Sequence, residues 1–220
     1  MTARGSLFEH LDDARARLGD PSTVWFRGHA GRHQLVPALF RFRGGVEAER
    51  ALYDSYRDHS GDVGFVDAWT TLIGMHDSYL PTRLLAWTES LGVAMFCALL
   101  REIPVIFVLD PIALNQASHV PKIVDLRHDR HPDYHRVVAG EGPELPFALR
   151  PRPALAAGTA NGLASLFTAH GRCGDALEQQ VPDVVERVLV SDVEKASAYE
   201  YLLSMNWFAA ISVAINHRSP

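Results

Sequence analysis

The chain has 220 residues, 21 Lys and Arg against 26 Asp and Glu, a formal charge of −5 and 47% hydrophobic residues. This places it among ordinary globular proteins and sets aside sequence-independent nucleic-acid binding through a global basic field, while leaving room for a local basic patch. One domain of this length buries roughly 70% of the surface its unfolded chain exposes, so Cys97 and Cys173 need not pair. With two cysteines, no basic and apolar leader and no apolar run of spanning length, a reducing cytosol without membrane contact is expected.

Leu7, Leu11, Ala14 and Leu18 recur at helical spacing before the stop signal Gly19-Asp20-Pro21, which predicts a first helix. Thr23-Val24-Trp25-Phe26 reads as a short strand. Gly28 and Gly31 mark its passage into a turn, placing Arg27 at the strand end. Apolar positions return to a helix period from Val46 to Tyr56 and from Val63 to Ile73, the second with Phe65, Trp69, Leu72 and Ile73 on one face. Pro81 to Thr88 reads as extended and runs directly into a buried helix from about Glu89 to Leu100.

Pro104 to Leu109 is a continuous apolar run and the candidate for a central strand, closed by Asp110-Pro111. Further strands are predicted at Lys122–Leu126, Pro146–Leu149, Leu166–Ala169 and Glu186–Val190. Asp192 is placed as the cap of a helix reaching about Ser204, and a last turn-forming stretch ends in Ala214-Ile215-Asn216. Between Arg127 and Glu144 the polar, His-, Pro- and Gly-rich sequence reads as a surface loop. Helices first and then strands between irregular segments predict an α+β fold rather than a doubly wound sheet. No Gly-x-Gly-x-x-Gly follows a strand and no phosphate-binding Gly-x-x-x-x-Gly-Lys occurs, which argues against a Rossmann or P-loop site.

Only Lys122 and Lys195 are lysines, so nearly every positive charge is an arginine. Arginine suits bidentate phosphate contacts, although the codon bias of a GC-rich genome yields the same excess. His128, His131 and His135 alternate with Asp129 and Asp133. Pro132 breaks the helix that would align them, so they read as a solvated loop rather than a metal site.

Trp25-Phe26-Arg27-Gly28-His29 with Leu35-Val36-Pro37-Ala38-Leu39-Phe40-Arg41 resembles the opening signature of the FRG domain family, named after its Phe-Arg-Gly triplet. Met75-His76-Asp77-Ser78-Tyr79-Leu80-Pro81-Thr82-Arg83-Leu84-Leu85-Ala86-Trp87-Thr88 resembles the family's Gln-His-Tyr-Gly-Leu-Pro-Thr-Arg-Leu-Leu-Asp-Trp-Thr element. A fainter match runs from Leu145-Pro146-Phe147-Ala148 through Leu166-Phe167-Thr168-Ala169-His170-Gly171. The resemblance covers about residues 23 to 210, after an N-terminal helix at about 5–18, and implies a single FRG-like domain over 1–220. The sequence departs from the family's pattern where Met75 replaces Gln, Ala86 replaces Asp, and one extra residue separates His76 from Pro81. Thr159, Leu163, Ser165 and Phe167 replace a later Arg and Gln-x-Gly-x-Phe element.

FRG domains look distantly similar to ADP-ribosyltransferase-fold toxin enzymes. That similarity implies a split mixed or antiparallel sheet with packing helices, and NAD as a substrate in a cleft formed around Arg27 and the Thr82–Thr88 segment. It also implies transfer of ADP-ribose to a nucleic-acid base, as in a bacterial toxin or phage-defence effector, with an antitoxin or regulatory protein as a further partner. DNA or RNA would meet a local patch of Arg32, Arg41 and Arg43.

The residues expected in the chemistry are Arg27, His76 and Glu186, with Arg27, Gly28, His29, Thr82, Arg83 and Trp87 around NAD. Each has a second reading: Arg27 as a tie at a strand end, His29 and His76 as satisfied half-buried histidines, Arg83 as a buried structural arginine, and Trp87 as core. The carboxylate is the least fixed, because a slip of one residue in register turns Glu186 to the other face. Glu89 and Asp77 are the alternatives. A non-catalytic FRG domain, serving as a nucleotide-binding or regulatory module, is the competing reading, motivated by Ala86, Met75 and the missing late element.

Overall fold

The computed structural model describes residues 6–59, 67–127, 131–151 and 166–205. The fold is mixed α/β with two sheets, one antiparallel and one mixed. Its residues group into two compact units, the first holding residues 1–33, 88–110 and 185–220 and the second 34–87 and 111–184. The expected turn at Ala214-Ile215-Asn216, the start of the helix expected from Val63, Phe65, and His128 and Asp129 lie outside the described residues, as do Thr159, Leu163 and Ser165.

The first unit is built on β1 (Trp25–Ala30), β3 (Pro104–Leu109) and β7 (Val185–Leu189), in the order β1-β3-β7 and antiparallel throughout. β3 is central, as its unbroken apolar run implies, and all six of its residues are buried. Helices α1 (Leu7–Arg17) and α5 (Leu91–Leu99) bury Leu7, Leu11, Ala14, Ala94, Met95 and Ala98 with Ile106, Val108 and Val188 of the sheet. Both helices have N-caps of the expected chemistry, since the hydroxyls of Ser6 and Ser90 accept from the backbone of Glu9 and Val93. The helix at Asp192–Ser204 is capped by Ser191 rather than by Asp192.

The strand through the Phe-Arg-Gly triplet is longer than its sequence suggests. β1 continues to Ala30, pairing Arg27 with Phe107, Gly28 with Ile106 and His29 with Val105. Arg27 is therefore inside the strand and not at its end. Gly28 is required for a different reason from the turn expected of it. A Cβ there would stand 2.0 Å from the Ala94 carbonyl oxygen and 2.5 Å from the Ala98 nitrogen, so α5 passes directly over the glycine.

In the second unit, β2 (Leu84–Trp87), β6 (Leu166–Ala169), β5 (Phe147–Arg150) and β4 (Val124–Asp125) form the order β2-β6-β5-β4, antiparallel except for the β4–β5 pair. Tyr53 of α3 (Gly45–His59) and Trp69, Leu72, Ile73 and Met75 of α4 (Ala68–Asp77) pack with Leu84, Phe147, Leu149 and Phe167 of the sheet. Short helices α2 (Ala38–Arg41) and α6 (Pro111–Ala117) were not expected from sequence. The loop expected over 127–144 contains α7 (Tyr134–Ala139), capped by Asp133 and ended by Gly140 at φ +83°. Its signal is slight: only Tyr134 and Val137, three residues apart, are buried.

Candidate functional site

In the first unit, alternation along β1 decides what the triplet presents. Gly28 faces α5, so Arg27 and His29 lie together on the opposite face of the sheet. His29 stands edge-on to Phe107 with ring centroids 6.0 Å apart. Its Nδ1 lies 3.0 Å from the Ala30 carbonyl oxygen, which can only accept, so Nδ1 carries the proton and Nε2 is the basic nitrogen. Next to this pair on the far strand, Arg187 donates from Nη2 to the Gly31 carbonyl at 2.7 Å. Burial pushes the Cys97 thiol up from its ordinary value, with Arg27 and Arg101 partly offsetting it, which does not favour a thiolate nucleophile there.

Glu186 does not share the face of Arg27. It pairs with Val108, which is in register with Phe26, so it lies on the α1 side of the sheet. Its carboxylate is 3.0 Å from Nη2 of Arg17. The uncertainty of one residue in register is settled against a joint role of Glu186 and Arg27 on one face.

In the second unit, the second motif block and the Phe-Thr-x-His-Gly segment meet in one buried polar network. Arg83 is fully buried, and its Nε donates to both carboxylate oxygens of Glu49 at 2.9 and 3.0 Å. Nη2 is ion-paired to the same carboxylate, and Nη1 donates to the carbonyls of His170 and Gly171, each at 2.8 Å. Of the two roles open to it, Arg83 takes the structural one, because a guanidinium with no exposed surface cannot reach a diphosphate.

Trp87 is likewise core, donating from Nε1 to Thr168 Oγ1 at 3.1 Å, and Thr168 Oγ1 lies 3.3 Å from His170 Nε2. Thr82 is buried, with its hydroxyl 3.1 Å from His76 Nδ1 and its carbonyl accepting from Leu39 N–H at 3.1 Å. His76 is half-buried, edge-on to Phe167 with centroids 5.3 Å apart. Arg32 in the first unit, and Arg41 and Arg43 in the second, are exposed. Among the described residues no three His, Cys, Asp or Glu side chains gather to hold a metal ion, and no helix is long and apolar enough to cross a membrane.

Glu49 is the residue that sequence reasoning missed. Its signal was a carboxylate three and four residues from Val46 and Tyr53, on the apolar stripe of α3, where a charge requires a buried partner. Asp77, an alternative carboxylate, is half-buried at the end of α4, and burial pushes its pKa from 3.8 up to about 6. Between those values the folded chain holds a proton that the unfolded chain has released, so this group's contribution to stability falls as pH rises from about 4 to about 6. Asp77→Asn is expected to melt higher than wild type above pH 6, by about 1 kcal/mol or less given the exposed half of the carboxyl, with the difference closing near pH 4. Melting curves of both proteins over that range test it, and a difference independent of pH would refute the assignment.

The FRG domain family model matches residues 22–104. This stretch, which contains both motif blocks, β1, the Arg83 network's central residue and the whole of α5, is what the chain shares with the FRG domain family. Searches of the curated proteins and of the solved structures found no match to the chain.

Proposed function

We propose that the chain is an NAD-dependent ADP-ribosyltransferase acting on a nucleic-acid base, with the split-sheet arrangement of the ADP-ribosyltransferase fold. The observation that carries this reading is the alternation along β1, which puts Arg27 and His29 side by side opposite the helix-packed Gly28. A guanidinium supplies the forked donors that a diphosphate needs, and an imidazole beside it suits a ribose hydroxyl. In the reaction the glycosidic bond between ribose and nicotinamide breaks through an oxocarbenium-like state. A nitrogen of the acceptor base forms the new bond to the ribose carbon, and the base's proton leaves to solvent or a general base while nicotinamide departs. Such an activity suits a cytoplasmic toxin or phage-defence effector held in check by an antitoxin or regulatory protein.

A second reading, a nucleotide-binding module without turnover, is favoured by one observation: Glu186 is engaged by Arg17 on the α1 side of the sheet, while the family's Asp is Ala86 here. Incubation of the full chain with NAD labelled in its adenylate half, and with single-stranded or duplex DNA or RNA, separates the two. Label on nucleic acid supports transfer. A folded protein that labels none of them overturns it.

Melting with NAD at a hundredfold excess over its dissociation constant should raise the wild-type midpoint by about 5–10 °C. Arg27→Lys should keep the wild-type midpoint without NAD and lose that shift, because an ammonium does not reproduce the planar fork. A wild type unmoved by NAD removes NAD from the proposal. A large loss of midpoint in Arg27→Lys without NAD instead assigns the arginine to the fold.

A further inference from the structure

Helix α4 ends in a Schellman arrangement. The N–H of Leu80 donates to the Met75 carbonyl and that of Tyr79 to the His76 carbonyl, both at 3.0 Å. The residue at the turn of this motif must adopt the left-handed conformation, which glycine fills without strain. Here it is Tyr79, at φ +62°. The ring gains nothing in burial for that strain, because Tyr79 is 76% exposed while Leu80 beside it packs on the core. A strained residue with an exposed aromatic ring points to a contact made outside the fold.

A second feature of the same unit has matching chemistry. At the C-terminal end of α2, Arg41-Phe42-Arg43 is exposed throughout, with Phe42 at 43%. Between 41 and 50 three exposed arginines, Arg41, Arg43 and Arg50, face solvent with a single exposed carboxylate, Glu47, since Glu49 is buried on Arg83. This is a local excess of positive charge in a chain of charge −5. The hydrogen bond from Leu39 N–H to the Thr82 carbonyl ties the two segments together. Phe42 follows Leu39 by three residues and Tyr79 precedes Thr82 by three, so their backbones are within about 27 Å even at full extension.

We propose that Tyr79 and the Arg41-Phe42-Arg43 turn form a docking surface for an unpaired nucleic-acid strand, the aromatic rings stacking on bases and the arginines holding phosphates. An exposed ring flanked by arginines, as Phe42 is, together with the exposed ring of Tyr79 suits a single strand, whose bases offer their faces, and not a duplex, whose faces are already stacked. The inference takes its nucleic-acid acceptor from the transferase reading and narrows it to unpaired strands.

Fluorescence anisotropy of the full chain with labelled 12-nucleotide single-stranded DNA, single-stranded RNA and the corresponding duplex tests it. Both single strands should bind more tightly than duplex, with affinity falling as salt rises. Tyr79→Gly relieves the strain, so it should melt at or above the wild-type temperature while binding single strands about tenfold more weakly. Arg41→Gln and Arg43→Gln should each reduce the slope of log affinity against log salt by about one. Single-strand binding that is unchanged in Tyr79→Gly, absent in wild type, or no tighter than duplex overturns the proposal. Release of nicotinamide from NAD, measured in parallel with single-stranded nucleic acid present at saturating concentration as the acceptor, reads the transferase reading separately. Tyr79-dependent binding without nicotinamide release leaves this surface standing and removes that activity, and the converse result does the opposite.

Discussion

Replacing Arg83 by methionine is expected to destabilise the second unit by about 3–5 kcal/mol, among the larger effects available to a single substitution in this chain. The change leaves the Glu49 carboxylate buried without its cation and the carbonyls of His170 and Gly171 without the Nη1 donor. Lost packing of the arginine stem is a smaller term, because methionine restores much of that volume. Glu49→Leu alone should cost a similar amount, since it leaves the guanidinium buried and uncompensated. The double variant Arg83→Met with Glu49→Leu should recover a substantial part of the loss, because it removes both charges at once. Urea titration of the four proteins reads these terms as a cycle. A single-variant loss below about 1 kcal/mol, or strict additivity in the double, would show that the pair is not the buried bridge its geometry describes.

The features legible in the sequence were those set by local pattern. The apolar run of β3 marked a central strand, and the periodicity of Leu7, Leu11 and Ala14 marked α1, because burial on one or both faces writes itself directly into residue type. What escaped was decided across space. Gly28 marks a passage from strand to turn by local pattern, because a glycine after a short β-prone run has that meaning, whereas in the fold its missing Cβ admits the backbone of α5. Glu186 could be turned to either side of β7 until its pairing with Val108 fixed the register. Arg83 was ambiguous between ligand clamp and structural tie, and its partner Glu49, thirty-four residues away on α3, resolved it. The polar stretch that hides α7 shows the same limit from the other side: Tyr134 stacks on Tyr53 and stands edge-on to Trp69, so tertiary packing sustains a helix that its flanking residues do not announce.

Gly28→Ala should destabilise the first unit by about 3 kcal/mol or more, at the upper end for the addition of one methyl group to a packed interior. The new Cβ would meet the Ala94 carbonyl oxygen at 2.0 Å, the Ala98 nitrogen at 2.5 Å and the Cys97 Cβ at 2.9 Å. The first two are backbone atoms of a helix, so no side-chain rotation relieves the contact and α5 or β1 must move. Gly174→Ala supplies the control, because its nearest neighbours are ring and Cβ atoms of Phe40 at 3.5 Å and beyond, ordinary contact distances. That change should stay within about 0.5 kcal/mol of wild type. Equal effects of the two substitutions would mean that α5 does not lie on the triplet. A selective loss in Gly28→Ala makes the glycine a condition of packing, with its neighbours Arg27 and His29 turned to the other face as a consequence. Under the proposed NAD-binding role, a loss of NAD-dependent stabilisation in this variant should then follow the loss of folding, whereas in Arg27→Lys it should occur with the fold intact.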